Sequence, residues 1–187
     1  MSILPESALA ASARHVIALC RFRDDPQNIV YSPALMAALL LATSAIDALG
    51  GALLGDASGG LAQSLLASAI ILGLCGVALA LRGLRHRYVQ TSTALLGAGI
   101  VVSLVQLPIL GLLGPFVDAA TLSPADMARN LFQMLLRWAG LATLAWQVLV
   151  YAHIVRHAMD SHFGFALVLV VTWMVANWAL ADLLLGT

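Results

Sequence analysis

The chain contains no lysine, and all nine of its basic residues are arginines. Charged residues make up only 10% of its 187 residues, whereas an ordinary soluble domain carries roughly 25%. So little charge excludes the basic surface that nucleic-acid-binding domains use, and nucleic acid is not expected as a partner.

Patterns that carry chemistry are missing as well. No CxxC pair and no Cys/His zinc spacing occurs, so Cys20 and Cys75 are expected to be unpaired small apolar residues. The sequence shows no nucleophile with a base, no phosphate-binding loop and no pair of carboxylates at catalytic spacing. We therefore predict a protein that is not an enzyme and that carries no cofactor.

Apolar residues are abundant: they make up 61% of the chain, and the mean hydropathy is +0.97. A water-soluble fold of this length could not bury so much apolar surface, so the bilayer is the expected solvent. The sequence predicts an all-α integral membrane bundle of five transmembrane helices, with residues 33–187 as one domain. The predicted spans cover about 33–54, 61–82, 90–113, 130–153 and 163–185.

A short amphipathic helix is predicted before the spans, within a segment of residues 1–32. Leu9, Ala13, Val16, Ile17 and Cys20 recur at helical spacing over residues 6–22. Such a helix either lies along the membrane surface or packs on the spans of its own chain, and the pattern leaves both open. A turn follows, because prolines at 26 and 33 break helices.

The arginines are distributed unevenly between the two sides of the predicted bundle. Seven flank the spans on the side of the N-terminus, and one loop arginine, Arg129, lies on the other side. This bias predicts an inner (plasma) membrane protein with a cytoplasmic N-terminus and an extracytoplasmic C-terminus. The arginines expected to contact a partner or lipid headgroups are Arg14, Arg21, Arg82, Arg85, Arg87 and Arg156.

Three charged residues fall inside the predicted spans: Asp47, Arg137 and Asp182. Charges within a bilayer are costly and usually have partners. Asp47 and Arg137 lie at similar distances from the ends of their predicted spans, so we predict an ion pair between them. It would act as a structural clamp or as part of a polar pathway. Further intramembrane polar candidates are Gln106, Gln147 and Asn177.

Histidines cluster near the end of the fourth predicted span. His153 and His157 are one helical turn apart, and His162 follows. This spacing is compatible with a shared metal ion. Contact with lipid headgroups is the alternative, and it is favoured because no nearby cysteine or intervening carboxylate completes a metal site.

The segments WQVLVYAHIVRHAMDSHFGFALVLVVTWMVANW, DPQNIVYSPAL and RYVQTSTALLGAG resemble the Yip (Ypt-interacting protein) membrane family and its uncharacterised bacterial relatives. The resemblance covers about residues 24–186. It implies a helical bundle that organises other membrane proteins, and it supplies no catalytic residues.

Together these observations favour a non-enzymatic adaptor that binds membrane lipids and an unidentified membrane-protein partner. The alternatives are a small-solute or ion transporter that uses the intramembrane Asp and Arg groups, and a metal- or haem-binding subunit. A GxxxG pattern at Gly51 and Gly55 is expected to serve packing within the chain, although it would also suit a homo-oligomer.

Overall fold

A computed structural model of the chain describes residues 6–53, 60–113 and 127–185. Its six α-helices are α1 (Glu6–Cys20), α2 (Pro33–Leu53), α3 (Gly60–Leu81), α4 (Tyr88–Leu113), α5 (Met127–Ala158) and α6 (Phe163–Leu185). Short 3-10 turns at Pro26–Asn28 and Arg85–Arg87 precede α2 and α4. The described residues contain no strand, so the predicted all-helical architecture is confirmed.

Within the described part of the chain, four helices are long and apolar enough to cross a membrane, as the sequence predicted for a membrane bundle. They contain the stretches Pro33–Leu53, Gln63–Leu81, Arg85–Leu113 and Leu131–Ala158. A shorter apolar stretch, Phe163–Asn177, lies in α6. The longest helix, α5, has 32 residues and extends beyond the predicted range of 130–153 at both ends.

The five long helices close into a ring. Going around it, α2 packs on α4, α4 on α5, α5 on α6, α6 on α3, and α3 on α2. The turns that carry Arg82, Arg85, Arg87 and Arg156 lie at one end, which we call the arginine-rich end. Helices α2, α4 and α6 begin there, whereas α3 and α5 end there.

The first half of α4 is the most enclosed part of the ring. Every residue of 91–99 is buried, and most are Thr, Ser, Ala or Gly. Small side chains let neighbouring helices approach closely. The hydroxyls of Thr91 and Thr93 donate to the carbonyls of Arg87 and Val89 one turn earlier, at 2.8 and 2.7 Å, so these buried groups are satisfied.

Helix α1 packs on the ring, across α4 and α5. Val16, Leu19 and Cys20 are buried there. A Cβ atom added to Gly97 of α4 would lie 2.7 Å from Cγ2 of Val16, so only glycine permits this approach. The indole of Trp146 donates a hydrogen bond to the Cys20 carbonyl at 3.1 Å. The sequence left open whether α1 lies along the membrane surface or packs on its own chain. In the structure α1 packs on α4 and α5.

Helices α1, α3 and α5 end at the arginine-rich end in the same way. Each is closed by a residue with positive φ: Phe22 at 59°, Gly83 at 74° and Asp160 at 47°. In each, the next residue donates its N–H to the carbonyl five positions back, which is the Schellman arrangement. Phe22 is an uncommon choice for this backbone region, and its ring makes an edge contact with His153 at a centroid distance of 5.4 Å.

We expect Gly97→Ala to loosen α1 from the ring. The new methyl group would collide with Val16, and overpacking of this kind typically costs about 1–3 kcal/mol. Thermal unfolding in detergent should show a lower midpoint, and limited proteolysis should cut residues 21–32 faster. Gly73→Ala is the matched control, because a Cβ at Gly73 would meet no atom within 4 Å. Equal behaviour of the two variants would contradict the α1 packing.

Candidate functional site

A polar cavity of about 220 Å³ lies between the five long helices. Each helix of the ring contributes to its wall. The polar residues that line it are Thr43 and Asp47 of α2, Ser68 of α3, Gln147 and Tyr151 of α5, and Asn177 of α6. The rest of the wall is apolar and includes Leu95 and Leu96 of α4. Three predicted intramembrane polar residues, Asp47, Gln147 and Asn177, therefore converge on one space.

Asp47 is the charged residue of this cavity, and it also lines a second space. Ser103 of α4 donates a hydrogen bond to Oδ1 of Asp47 at 2.8 Å. Beside this pair, a cleft of about 150 Å³ runs between α2 and α4 along Gly50, Gly51 and Gln106. The cleft extends from Asp47 towards the end of the ring opposite the arginines. Asp47 thus stands where the cleft and the central cavity meet.

The cavity lies deep within the apolar part of the ring. Distances from the arginine-rich end follow from a rise of about 1.5 Å per residue: about 21 Å for Asp47, about 20 Å for Ser68, about 17 Å for Gln147 and about 21 Å for Asn177. A hydrocarbon core is about 30 Å thick. These groups would therefore lie in the middle part of a bilayer, where a polar group without a partner is costly.

Hydrogen bonds within the cavity leave acceptor atoms available. The Thr43 hydroxyl donates to the carbonyl of Leu39 at 2.8 Å, and the amide nitrogen of Gln147 approaches the Tyr151 hydroxyl at 3.4 Å. Oδ1 of Asn177 is buried and has no hydrogen-bond partner among the described residues. The wall thus offers the Asp47 carboxylate to a ligand, and the unpaired oxygen of Asn177 lies buried beside the cavity.

The predicted ion pair between Asp47 and Arg137 is wrong. Asp47 bonds to Ser103 instead, and Arg137 is exposed. The error has a geometric cause: α5 continues to Ala158, which carries Arg137 about 31 Å from the arginine-rich end, whereas Asp47 is about 21 Å from it. The two helices also lie on opposite sides of α4.

Gln106 and Asp182 are the two remaining intramembrane residues that the sequence predicted. Gln106 lies in the cleft and not in the central cavity. The side chain of Asp182 lies outside the described residues. Sequence reasoning missed Thr43, Ser68, Tyr151 and Ser103 as site residues. Ser68 and Ser103 lie at about the same helix depth as Asp47, which is visible only when the spans are aligned by their ends. Thr43 and Tyr151 lie nearer the arginine-rich end, about one helical turn from Asp47 and Gln147 on their own helices.

The histidines contact the loop after α1. His153 Nε2 lies 3.1 Å from the Asp24 carbonyl, and His157 Nδ1 lies 3.5 Å from Oδ2 of Asp25. His162 is exposed. No group of three or more His, Cys, Asp or Glu side chains suited to a metal ion occurs in the described part of the chain. The pair His153 and His157 therefore holds the α1–α2 loop against α5.

Two of the arginines expected to face a partner make contacts within the chain. Arg87 donates to Oδ2 of Asp160 at 2.7 Å and to the Ala158 carbonyl at 3.2 Å. The Arg82 guanidinium lies over the Phe165 ring at 5.4 Å. Four others are exposed: Arg14, Arg21, Arg85 and Arg156.

Asp24 organises the loop that these histidines contact. Burial raises the pKa of Asp24, but hydrogen bonds from His15, Asn28 and the Asp25 N–H outweigh it, so the pKa is lowered overall. A lowered folded-state pKa means that the stabilisation is present above the ordinary value and is lost as pH falls through the folded-state value.

We therefore expect Asp24→Asn to lower the unfolding midpoint at neutral pH, because the substitution removes the hydrogen-bonded carboxylate. The difference between variant and wild type should shrink as the pH falls below about 4, the ordinary pKa range of aspartate. Thermal melts in detergent from pH 7 to pH 2.5 measure it. A difference that persists unchanged at the lowest pH would refute the assigned role of the Asp24 carboxylate.

Comparison of the chain with family models, with curated proteins and with solved structures found no match, so the resemblance to the Yip family stays a prediction.

Proposed function

We propose that the chain is a small-solute transporter that binds its solute in the central cavity. The observation that carries the proposal is the convergence of Asp47, Gln147 and Asn177 from three helices on one space. Ionisable groups held inside a membrane are rare, and they mark solute and ion pathways. Transporters of unrelated architecture also bind their solutes near the middle of the bilayer.

The proposal includes five spans in a bacterial inner membrane, with the arginine-rich end in the cytoplasm. Helix α6 has 23 residues, which at 1.5 Å per residue gives about 34 Å, enough to cross a core of about 30 Å. The concentration of arginines at one end supports this orientation. The cleft beside Asp47 would then give access from the extracytoplasmic side.

The rate at which a thiol reagent reaches the cavity from each side of the membrane tests the transporter proposal. In a background where Cys20 and Cys75 are replaced by Ala, Ser68→Cys puts a thiol in the cavity wall. We expect a membrane-impermeant methanethiosulfonate to label it rapidly from the extracytoplasmic side. Labelling from the cytoplasmic side of inverted vesicles should be slower but measurable, because a transporter must open both ways.

Ser44→Cys is the matched control. Ser44 is fully buried in α2 and is not among the residues that line the cavity, so its thiol should react at least ten times more slowly. Equal rates at the two positions would refute the accessible cavity. Labelling of Ser68→Cys from one side alone would refute transport and leave a binding pocket.

An adaptor that organises a membrane partner, the role that the Yip resemblance implies, is the second candidate. The exposed arginines Arg14, Arg21, Arg85 and Arg156 favour it, because Arg is common where proteins meet partners or anionic headgroups.

Gentle extraction followed by mass spectrometry distinguishes a protein partner from lipid. The adaptor role predicts a stoichiometric protein that is lost when Arg85 and Arg156 are both changed to Gln. Arg137→Gln is the control, because it removes an equally exposed charge about 31 Å from the arginine-rich end. Recovery of lipid alone would remove this candidate.

A further inference from the structure

We infer that the cavity selects a small primary ammonium ion with a short apolar body, held by the carboxylate of Asp47. This inference rests on the proposed solute site and names the class of its ligand. It comes from four properties of the cavity: its charge, its hydrogen-bonding groups, its walls and its volume.

The Asp47 carboxyl group has no cationic counterpart among the described residues that line the cavity and the cleft. Asp47 is the one ionisable carboxyl group among the described residues that line the cavity and the cleft, and no Arg or His lines either space. Its protein partner is the neutral hydroxyl of Ser103. The Asp47 residue is exposed beside the cleft, and in apolar surroundings a cationic partner stabilises the ionised form of a carboxyl group. A cationic ligand supplies that partner, whereas an anion would add repulsion.

The hydrogen-bonding groups favour a ligand that donates. Ser103 occupies Oδ1 of Asp47. Among the described residues no donor reaches the second carboxylate oxygen of Asp47. The Thr43 oxygen uses its hydrogen on the Leu39 carbonyl and so can only accept further bonds. An ammonium group has three donors and no acceptor, which matches this set.

The walls distinguish an organic ammonium ion from a hydrated metal ion. Calcium takes six to eight oxygen ligands, and magnesium retains several waters in an octahedral shell. Here the single carboxylate faces apolar side chains, namely Ala67, Ile71, Leu72, Leu95, Leu96, Leu144 and Met174. These walls cannot complete a metal shell, but they favour the burial of an alkyl chain.

The volume limits the size of the ligand. An engineered apolar cavity of about 150 Å³ holds benzene. The central cavity of about 220 Å³ is therefore large enough for a ligand of about six to nine non-hydrogen atoms. Butylammonium lies just below this range and hexylammonium lies within it, whereas a disaccharide or a nucleotide exceeds it.

Calorimetric titration of the whole protein in lipid nanodiscs tests the inference. The probes are n-butylammonium and n-butanol, which have nearly the same shape and differ in charge, and heats from empty nanodiscs are subtracted. We expect butylammonium to bind wild-type protein at least ten times more tightly than butanol. Equal affinities would overturn the inference, and this comparison requires no variant.

Variants then locate the charge that the ligand recognises. Asp47→Asn keeps the shape and removes the charge, so it should weaken butylammonium binding at least tenfold and leave butanol binding unchanged. Arg137→Gln is the control, because Arg137 is exposed and lies away from the cavity; it should alter neither. Undiminished butylammonium binding by a folded Asp47→Asn protein would overturn the inference.

The transporter proposal and the inference of an ammonium ligand can be refuted independently of each other. If Ser68→Cys is labelled from both sides but butylammonium does not bind, the transporter proposal stands and the ammonium ligand is wrong. If butylammonium binds through Asp47 but labelling occurs from one side only, the ligand class stands and transport is wrong.

Discussion

The close packing of the first half of α4 is the constraint on which the rest of the structure depends. Residues 91–99 are buried on all sides, and their small side chains let α2, α5 and α1 contact the same helix. Gly97 accepts Val16 of α1, and Gly99 accepts the Tyr151 hydroxyl of α5. Because α4 occupies little width at this level, the five-helix ring closes tightly at the arginine-rich end. Farther along, the same ring encloses the polar cavity.

The ring therefore has two parts along its length, a closely packed apolar part and a part that contains the cavity. Near the arginine-rich end, Leu79, Leu95 and Val155 form a dry core against which α1 docks. Farther from that end, the inner wall of the ring includes the polar side chains of Asp47, Ser68 and Asn177. The docked N-terminal helix and the loop held by Asp24 and the histidines add a second layer over that dry core. Among the described residues, the cleft along α2 and α4 leads from Asp47 towards the opposite end, and for this reason access to the cavity is expected there.

Much of this architecture could be predicted from the sequence, but the site could not be assembled from it. Long apolar runs set the helix positions, because each must bury its backbone polar groups within a helix. The polar residues Asp47, Gln147 and Asn177 were recognisable as exceptions within those runs. Which of them meet depends on the order of helices around the ring, and the five apolar runs carry no signal for that order. The depth of Arg137 was mispredicted as well. The predicted span ended at residue 153, whereas α5 ends at Ala158, so Arg137 lies farther from the arginine-rich end than the sequence indicated.

The hydrogen bond from Trp146 to Cys20 joins residues separated by 126 positions in the chain. During synthesis α1 leaves the ribosome long before its docking surface on α4 and α5 exists. At about 5–20 residues per second the interval is about 6–25 s. Until α4 and α5 have both been made, Val16, Leu19 and Cys20 lack part of their native neighbours and expose apolar surface. Helix α1 is thus made before the helices on which it packs, and its docking is a late step in the assembly of the bundle.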